Sequence, residues 1–596
     1  METRRDWLRL VETRRVHRVP RVHRVYRVHR VYRVTPCSPP YPKGQSREGD
    51  SHPHLGLRLH RSPDLSRRGR GDDPWGFTVR VGVGYTFWQP LPTADMNIKE
   101  ALERTASEAP RKEALVLDGK RVTYGELDAA SNRAANALLG LGMKRGTHAA
   151  ILMSHSPNWV ISYFGVIKGG GIAVLLNTAL KAPELDALLR DSDSEILLTE
   201  KKFARMLSSV LPEIPSLERV IAVDTRSYDR TVAKSPTEPP AVELSDEDEA
   251  TIFYTSGVLG KQKGVVHTHG SLMGTPPIIN AGIQRKRDDV VIDLVPFSYL
   301  FGLFEVLFGS IIAGSTVVLI PNFTPRAVLE AVEKEKATII FGVPAMYNAL
   351  AMVRDEVLAR YDLSSLRLVV SAGAKSFPKL MEALESKYGL SLYEIYGLTE
   401  ASAVSISRFD ARKLGTVGKP ICGLRILDDD GKEVPVGEIG EAVFSPPWIM
   451  KGYYKAAELT SQVLKDGWFY TGDLVRMDEE GYLEYIEKKS FIIVTSSGLK
   501  IGPSEVEFVL LGHPSVAEVA YVGINDGYGG QIPTAFVVLK EGCSTTAKEL
   551  SSLCSRNLAD FKLPKRIEFI DSIPKTSSGK VSRGKLRETR GVPRVH

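Results

Sequence analysis

Cysteine is scarce in this sequence: the chain has four in 596 residues, and none of them lies in a Cys-x-x-Cys spacing. Isolated thiols of this kind form neither a disulfide framework nor a zinc site, so they favour a reducing, cytoplasmic setting. With 43% apolar residues the chain can still bury a large core, and its length predicts two or more domains.

A long uninterrupted apolar run is also missing. The nearest approach, LFGLFEVLFGSIIAGSTVVLI at 300–320, contains Glu305 and three glycines and is followed by Pro321. Such a segment predicts a buried helix followed by a buried strand. We therefore expect no transmembrane segment.

An excess of positive charge is absent from most of the chain. Residues 1–95 hold 19 Lys and Arg against 9 Asp and Glu, so the net charge of +7 becomes −3 over the remainder. Basic character that is confined to a leader gives no reason to expect a nucleic-acid partner.

The leader lacks a regular hydrophobic period. Residues 15–34 repeat three-residue units such as RVH and RVY, and this period fits neither a helix nor a strand. Residues 35–56 are rich in Pro, Gly and Ser, as disordered chains are, and 588–596 echo 12–23. We expect 1–95 to be a low-complexity leader, disordered or mistranslated, and 588–596 a repeat-like tail, with the functional chain starting at Met96. A basic interaction arm is the alternative.

From Met96 onward, helical patterns alternate with short β-branched runs such as HAAILM (148–153), GIAVLL (171–176) and EILLTE (195–200). This alternation predicts an α/β fold in which helices cover parallel sheets. Residues 415–487 change to short glycine-rich strands, which indicates a small β-rich subdomain, and a compact α+β segment follows.

One loop has the composition of a phosphate-binding loop. TSGVLGKQKG (255–264) lies between the apolar runs ATIFY and VVHTHG. Hydroxyls, backbone N–H groups and a positive charge are available to phosphate oxygens from Thr255, Ser256, Gly257, Gly260 and Lys263. The loop lacks the Gly-Lys-Ser/Thr ending of a Walker motif, and a lone glycine-rich loop is more often only a turn.

Three further motifs follow this loop in order: YGLTE (396–400), GWFYTGDL (467–474) and PKTSSGKVSR (574–583). The set resembles the adenylate-forming superfamily of acyl-CoA synthetases, luciferases and carrier-loading adenylation domains. The resemblance covers about 96–587 and includes TYGEL (123–127), GVPAMY (342–347), GTVGKP (415–420), GEIGE (437–441), MKGYY (450–454) and HPSVAEVAYVG (513–523).

This resemblance implies two domains. The large N-terminal domain, 96–488, would contain two stacked βα sheets and a small β-barrel subdomain. The C-terminal domain, 489–587, would be small, mobile and α+β.

The resemblance also implies the reaction. A carboxylic acid attacks the α-phosphate of ATP, and because the acid is already ionised, catalysis needs positioning and charge neutralisation rather than a general base. Three residues would be catalytic. Lys580 would bridge the acid and the α-phosphate, Thr399 would touch the α-phosphate region, and Glu400 would hold Mg²⁺.

The nucleotide contacts follow from the same resemblance. Tyr396, Gly373 and Ala374 would flank the adenine, and Asp473 would accept the ribose hydroxyls. The family usually has Asp-Arg at the hinge and an Asp or Lys two residues after the Arg, whereas this chain has Lys488 and Ser490 at the last two of these positions. Lys488 keeps the charge of arginine but not its bidentate fork.

In the second half-reaction of the family, the C-terminal domain rotates and the acyl group passes to a thiol. By resemblance, Gly498 in TSSGLKIGPSEVE (495–507) would line the path of the pantetheine arm.

The phosphate loop departs from the family pattern, which has two Thr or Ser residues and a Pro where this chain has Val258, Leu259 and Gln262. Each lost hydroxyl donor to a charged phosphate is worth about 1.5–3 kcal/mol. We expect weaker handling of pyrophosphate without loss of nucleotide binding.

The acid itself is only partly defined. Amino-acid-activating relatives have an aspartate after the phenylalanine equivalent to Phe297, but this chain has Ser298, so an amino acid is not expected. Tyr299 and Met346, with Phe301 and Cys422, are candidates for an acyl pocket or for simple core packing. His267 and His269 are interpreted as structural residues rather than metal ligands.

The sequence therefore predicts an acyl-CoA synthetase that uses ATP, Mg²⁺ and coenzyme A to activate a fatty or aromatic acid. Two alternatives stay open: an acyl-AMP ligase that loads an acyl carrier protein, and a degenerate nucleotide-binding family member without turnover.

Overall fold

A computed structural model of the chain describes residues 76–81, 85–90, 96–255, 262–374, 376, 378–495, 500–525, 531–558, 560–576 and 580–590. Most of the predicted leader lies outside these residues. Within it, the strands Gly76–Val81 and Tyr85–Pro90 pair in antiparallel fashion. The interpretations of 1–95 and 588–596 stay predictions.

Two large mixed sheets form the body of the chain. The first sheet has seven strands in the order Gly452–Tyr453, Lys263–Thr268, Glu249–Thr255, Ile172–Leu175, His148–Leu152, Ile196–Thr199 and Arg219–Ala222. The second sheet has nine strands in the order Lys419–Pro420, Ser402–Ile406, Ser391–Leu398, Leu368–Ala372, Ile339–Gly342, Val290–Asp293, Thr316–Leu319, Glu113–Leu117 and Lys120–Thr123. Their central strands are parallel and buried, as their short aliphatic runs predict.

Helices connect and cover these strands, and several begin at clear sequence signals. The Thr123 hydroxyl accepts a hydrogen bond from the backbone N–H of Glu126, and the Glu126 carboxylate accepts one from the backbone N–H of Thr123, so that this pair caps the helix Tyr124–Gly140. The other helices before the β-rich subdomain are Ile98–Glu108, Pro157–Lys168, Ala182–Asp191, Lys201–Met206, Arg226–Lys234, His269–Met273, Pro276–Gly282, Gly309–Ala313, Pro325–Glu335, Pro344–Ala351, Asp355–Leu358 and Pro378–Tyr388.

The apolar segment 300–320 is a buried helix and a buried strand, as predicted, but the helix begins with a wider turn. Phe301–Phe308 is a π-helix, Gly309–Ala313 continues as an α-helix, and Thr316–Leu319 is the strand. Glu305 is buried in the π-helix, where Thr275 donates a hydrogen bond to it at 2.9 Å. Burial raises the pKa of Glu305 to about 7. No helix within the ranges that the structure describes is long and apolar enough to cross a membrane.

The β-rich segment predicted as a small barrel forms an antiparallel sheet of five strands. Gly423–Leu427, Ile439–Ser445, Trp468–Met477 and Leu464–Lys465 follow in this order, and Leu483–Lys488 also pairs with Trp468–Met477. Among the described residues, no strand pairing joins Gly423–Leu427 to Leu464–Lys465 or to Leu483–Lys488. The helix Ala457–Val463 precedes Leu464–Lys465.

The chain after residue 488 is an α+β unit. The strands Val516–Asn525, Gln531–Leu539 and Arg566–Phe569 form its main sheet, Ile493–Val494 and Lys500–Ile501 form a small ribbon, and the helices are Pro503–Leu511, Ala547–Asn557 and Arg583–Arg590. Its buried clusters contain residues between Ile493 and Leu586, whereas the clusters of the body end at Leu483. Among the described side chains, no buried core residue belongs to both.

Candidate active site

The predicted phosphate loop joins two antiparallel strands. Thr255 ends the strand Glu249–Thr255 and is the register partner of Lys263, which begins the next strand. Residues 256–261, which include Ser256, Gly257 and Gly260 of the predicted site and the departures Val258 and Leu259, lie outside the described part of the chain.

Lys263 faces a tyrosine that sequence reasoning missed. Its Nζ lies 3.3 Å from the hydroxyl oxygen of Tyr453 and 4.4 Å from the centre of the Tyr453 ring. The Tyr453 hydroxyl donates to Oε1 of Glu400 at 2.7 Å. Burial, with the negative charge of Glu400, raises the pKa of Tyr453 above its ordinary value, so the hydroxyl stays a donor. The structure thus brings Lys263 and Glu400 together through one phenol.

A histidine contacts the backbone of the turn that carries Thr399 and Glu400. Nε2 of His267 lies 2.7 Å from the carbonyl oxygen of Thr399, and Nδ1 lies 2.9 Å from the hydroxyl of Ser271. Burial lowers the pKa of His267 to about 4, so the ring is neutral at physiological pH and can donate from Nε2 to the carbonyl. His267 therefore fixes the position of Thr399.

A second cluster surrounds Asp473, which is 2% exposed. The hydroxyl of Tyr396 donates to Oδ2 at 2.7 Å, and Nζ of Lys488 lies 2.8 Å from Oδ1. Lys488 is the register partner of Asp473 on the neighbouring strand and also donates to the carbonyl of Thr471 at 3.1 Å. Lys488 thus contacts the carboxylate at one point, as expected for a lysine in place of an arginine.

Gly373 and Ala374 follow the strand Leu368–Ala372 at its carboxyl end. Gly373 has a φ of +83°, and among the described residues a Cβ there would meet only Val343, at 3.8 Å. The left-handed backbone, rather than crowding, therefore requires glycine at this position. Tyr396, at 8% exposure, packs against Phe444, so its predicted role beside the adenine stays a prediction.

Lys580 lies within the electrostatic reach of both clusters. Its backbone forms a tight turn with Thr576. The surrounding protein atoms lower its pKa, and the positive charge of Lys488 adds to this, whereas Asp473 and Glu400 act in the opposite direction. Lys580 therefore lies close enough to Lys488, Asp473 and Glu400 to feel the charge of each.

The hinge region makes contacts with both parts of the chain. Lys489 lies 3.1 Å from carboxylate oxygens of both Asp429 and Glu441. The hydroxyl of Ser504 donates to Glu487 at 2.6 Å. Ser490 lies in the short 3₁₀ turn Lys489–Phe491. Gly498 lies outside the described residues.

The candidate acyl-pocket residues are dispersed. The hydroxyl of Tyr299 accepts a hydrogen bond from Asn177 at 2.5 Å. Met346 packs, half-buried, against the second core cluster, and the Phe301 ring lies 5.8 Å from that of Phe341. Cys422 is buried in the main core, so core packing is the interpretation that applies to it.

Comparison with known proteins gives consistent matches over most of the chain. The profile of the AMP-binding enzyme family matches residues 102–454, and that of the AMP-binding enzyme C-terminal domain matches 505–580. The chain is 34% identical to feruloyl-CoA synthase of Amycolatopsis sp over 496 residues, which are 82% of this chain and 98% of the relative. It is 31% identical to a long-chain-fatty-acid–CoA ligase of Bacillus subtilis (strain 168) over 536 residues, 84% of this chain and 95% of that one.

Solved structures show the same similarity. A crystal structure of an anthranilate CoA ligase in complex with anthranoyl-AMP matches with a TM-score of 0.78 at 30% identity. The match covers 83% of this chain and 98% of the ligase.

Proposed function

This chain belongs to the AMP-binding enzyme family, and from that premise we propose how its residues divide the work of an acyl-CoA synthetase. The enzyme ligates a carboxylic acid to coenzyme A through an acyl-adenylate and releases AMP and pyrophosphate. ATP and coenzyme A are its substrates together with the acid.

The observation that carries the assignment of roles is the position of Lys580. It comes from the α+β unit, yet the charges that act on it are those of Lys488, Asp473 and Glu400 in the body of the chain. A cation between these groups can contact both the acid carboxylate and the α-phosphate, and it neutralises the negative charge that builds up when they meet. Lys580 is therefore proposed as the catalytic cation of the first half-reaction.

Asp473 is proposed to accept the ribose hydroxyls. Its carboxylate is buried and already ordered by Tyr396 and Lys488, so little motion is lost when a ribose binds. Lys263, with Thr255 and the loop after it, is proposed to bind the β- and γ-phosphates. Tyr396, Gly373 and Ala374 are proposed to line the adenine.

Glu400 fits a Mg²⁺ that is shared with the nucleotide. Mg²⁺ is usually held by one or two carboxylates and takes its other ligands from phosphates and water. Glu400 is half-exposed, and no lysine or arginine in the described ranges forms an ion pair with it, so its charge is available. When bound, Mg²⁺ would neutralise charge on the phosphates of ATP.

The second half-reaction requires a different arrangement of the α+β unit. We propose that residues 489–587 form a domain that turns about residues 488–490, so that Lys580 moves away from Asp473 and Glu400 and Gly498 reaches the pantetheine arm. The contact between Ser504 and Glu487 would hold the adenylating arrangement.

Coenzyme A is favoured over a carrier protein as the acceptor because the relatives described above are CoA synthases and CoA ligases. The acid is proposed to be aromatic or fatty, since Ser298 lacks the carboxylate that would pair with the ammonium of an amino acid.

The test is acid-dependent exchange of pyrophosphate into ATP by the full chain, without CoA, across a panel of aromatic and fatty acids. Exchange is expected with at least one acid, and the acid with the highest kcat/KM defines the substrate class. Competition between CoA and a phosphopantetheinylated carrier, with the same acid, then identifies the acceptor.

Lys580→Ala provides the residue control, and Lys575→Ala matches it, because Lys575 lies nearby in sequence and pairs with Glu518 on the surface. Exchange should fall by about 10²–10³ in the first variant and stay unchanged in the second. A folded, ATP-binding protein that exchanges with no acid would support the degenerate alternative.

A further inference from the structure

The motif MKGYY (450–454) lies between the phosphate-loop strand and the Glu400 turn. Its strand Gly452–Tyr453 pairs with Val265 and Val266 of the strand that Lys263 begins. Two residues earlier, the backbone N–H of Met450 donates to the carbonyl of Glu400 at 2.8 Å. The backbone of this motif therefore ties the two elements that carry Lys263 and Glu400.

The two tyrosines of the motif point in different directions, as successive residues of a strand do. Tyr453 is buried and contacts Lys263 and Glu400. Tyr454 donates from its hydroxyl to Asp193 at 2.9 Å. The two side chains thus make the same kind of hydrogen bond in two different places.

The contacts of Tyr453 form a directed chain. An ammonium can only donate and a carboxylate can only accept, so the phenol oxygen accepts from Lys263 and its hydrogen goes to Glu400. Hydrogen bonds that share a group in this way strengthen each other. The chain fixes the rotamers of both charged side chains before any ligand arrives.

The tyrosine also keeps the two charges apart. A lysine and a glutamate in a half-buried site attract each other strongly at contact distance. If they met directly, Lys263 would turn away from the phosphates and Glu400 would lose the charge that attracts a cation. Because the phenol lies between them, the ammonium of Lys263 stays available to phosphate and the carboxylate of Glu400 stays available to a cation.

We propose that Tyr453 is a positioning residue of the first half-reaction. It keeps Lys263 and Glu400 apart and holds each side chain in position for a magnesium nucleotide. This inference rests on the proposed function, since it assigns those two residues to phosphate and metal. Tyr453 itself need not touch the substrate.

The test compares Tyr453→Phe with Tyr454→Phe. Both remove one hydroxyl that donates to a carboxylate, and the phenylalanine at 453 keeps the ring beneath Lys263. In pyrophosphate exchange, Tyr453→Phe should lower kcat/KM for magnesium ATP by about ten- to a hundredfold, the effect of one hydrogen bond to a charged group. The KM for the acid and the thermal midpoint should stay close to those of the wild type.

A binding measurement makes the test independent of turnover. Mn²⁺ is titrated into the full chain with α,β-methylene-ATP and followed by electron paramagnetic resonance. Tyr453→Phe should weaken Mn²⁺ binding severalfold, and Tyr454→Phe should leave it unchanged. The same substitution in a Glu400→Gln background should have a smaller effect, because the tyrosine acts through that carboxylate.

Equal Mn²⁺ binding by Tyr453→Phe and the wild type, or effects of Tyr453→Phe and Glu400→Gln that simply add, would overturn the inference. A wild-type chain without acid-dependent exchange would overturn the proposed function instead, and the Mn²⁺ titration would still decide the role of Tyr453.

Discussion

At the scale of single residues, the lowered pKa of Lys580 has a direct kinetic consequence. The ammonium form is the one proposed to neutralise the reacting oxygens, and protein atoms and Lys488 make this form less stable than in an ordinary lysine with a pKa of about 10.4. As pH rises through the lowered pKa, the proton is lost and the first half-reaction slows. The alkaline limb of acid-dependent exchange should therefore lie below the ordinary lysine pKa.

Lys580→Arg checks this assignment, because a guanidinium keeps its charge over the whole range. The variant should exchange more slowly at neutral pH, since its geometry differs, but its alkaline limb should disappear or move upward. An identical limb in the variant would show that another group titrates.

Asp473 supports a second prediction at this scale. Asp473→Asn removes the charge that Lys488 pairs with and weakens the acceptor proposed for the ribose hydroxyls. A hydrogen bond to a charged group is worth about 1.5–3 kcal/mol, so the Kd for ATP should rise by about ten- to a hundredfold in isothermal titration calorimetry. Deoxy-ATP analogues should lose affinity in the wild type but little in the variant, and equal losses in both would contradict the assignment.

The positions of some of these residues could be predicted from the sequence, whereas the contacts of others could not. Asp473, Glu400 and Lys580 lie inside glycine-bounded motifs, so their positions were predictable, although their roles stay predictions. Tyr453 and His267 were not assigned these contacts, because their partners lie 53 and 132 positions away. Distances of that kind are created by sheet pairing, which no local pattern encodes.

At the scale of elements, the phosphate loop is the clearest departure from the family pattern. Val258→Thr/Leu259→Thr gives the loop the two hydroxyl residues of the family pattern and should raise the exchange rate, since each hydroxyl donor to phosphate is worth about 1.5–3 kcal/mol. The comparison is made at saturating acid, with kcat and the KM for ATP measured separately. An unchanged rate would show that backbone N–H groups and Lys263 suffice.

The π-helix Phe301–Phe308 supports a prediction about stability. The pKa of Glu305 is raised to about 7 in the folded chain, so the folded state holds a proton that the unfolded state releases at lower pH. The resulting stability is complete below the ordinary glutamate pKa and is lost as pH rises to about 7. By linkage, this loss is about 3 kcal/mol.

Glu305→Gln should remove this loss, because an amide does not ionise. Urea unfolding at pH 5 and pH 8 should show a smaller decrease for Glu305→Gln than for the wild type. Glu330→Gln, an exposed glutamate paired with Arg326, is the control and should follow the wild type. Equal decreases in all three proteins would contradict the raised pKa.

Sequence patterns identified the buried helix at 300–320 but not its π turn. Nearly every residue between Phe301 and Phe308 is apolar and buried, so the segment has no polar face whose spacing could distinguish a π-helix from an α-helix. The strands were easier to predict, since short aliphatic runs of four or five residues ended at turns, as in Ile172–Leu175 and Ile339–Gly342.

At the scale of the whole molecule, the residue proposed as the catalytic cation of the first half-reaction comes from outside the body of the chain. A chain that ends at Lys488 keeps all the body clusters and should fold and bind ATP. It lacks Lys580, so its exchange rate should fall at least as far as that of Lys580→Ala. Exchange at the wild-type rate would refute the role of Lys580 and of the unit that carries it.

The α/β architecture and the enzyme class were predicted correctly from the ordered motifs and the alternation of elements. The order in which the strands of the β-rich segment pair was not predicted. In that segment Trp468–Met477 pairs with three strands, and this branching, which depends on where each partner begins and ends, is not visible in glycine spacing.

The separation of the buried clusters at the hinge predicts how the protein unfolds on heating. Since no described core side chain belongs to both the body and the α+β unit, the two can melt as separate cooperative blocks. A calorimetric scan of the ligand-free enzyme would then absorb heat in two steps, and a bound acyl-adenylate, gripped by both blocks, would merge them into one. The number of steps in that trace would distinguish the ligand-free enzyme from the enzyme with a bound acyl-adenylate, without any assay of activity.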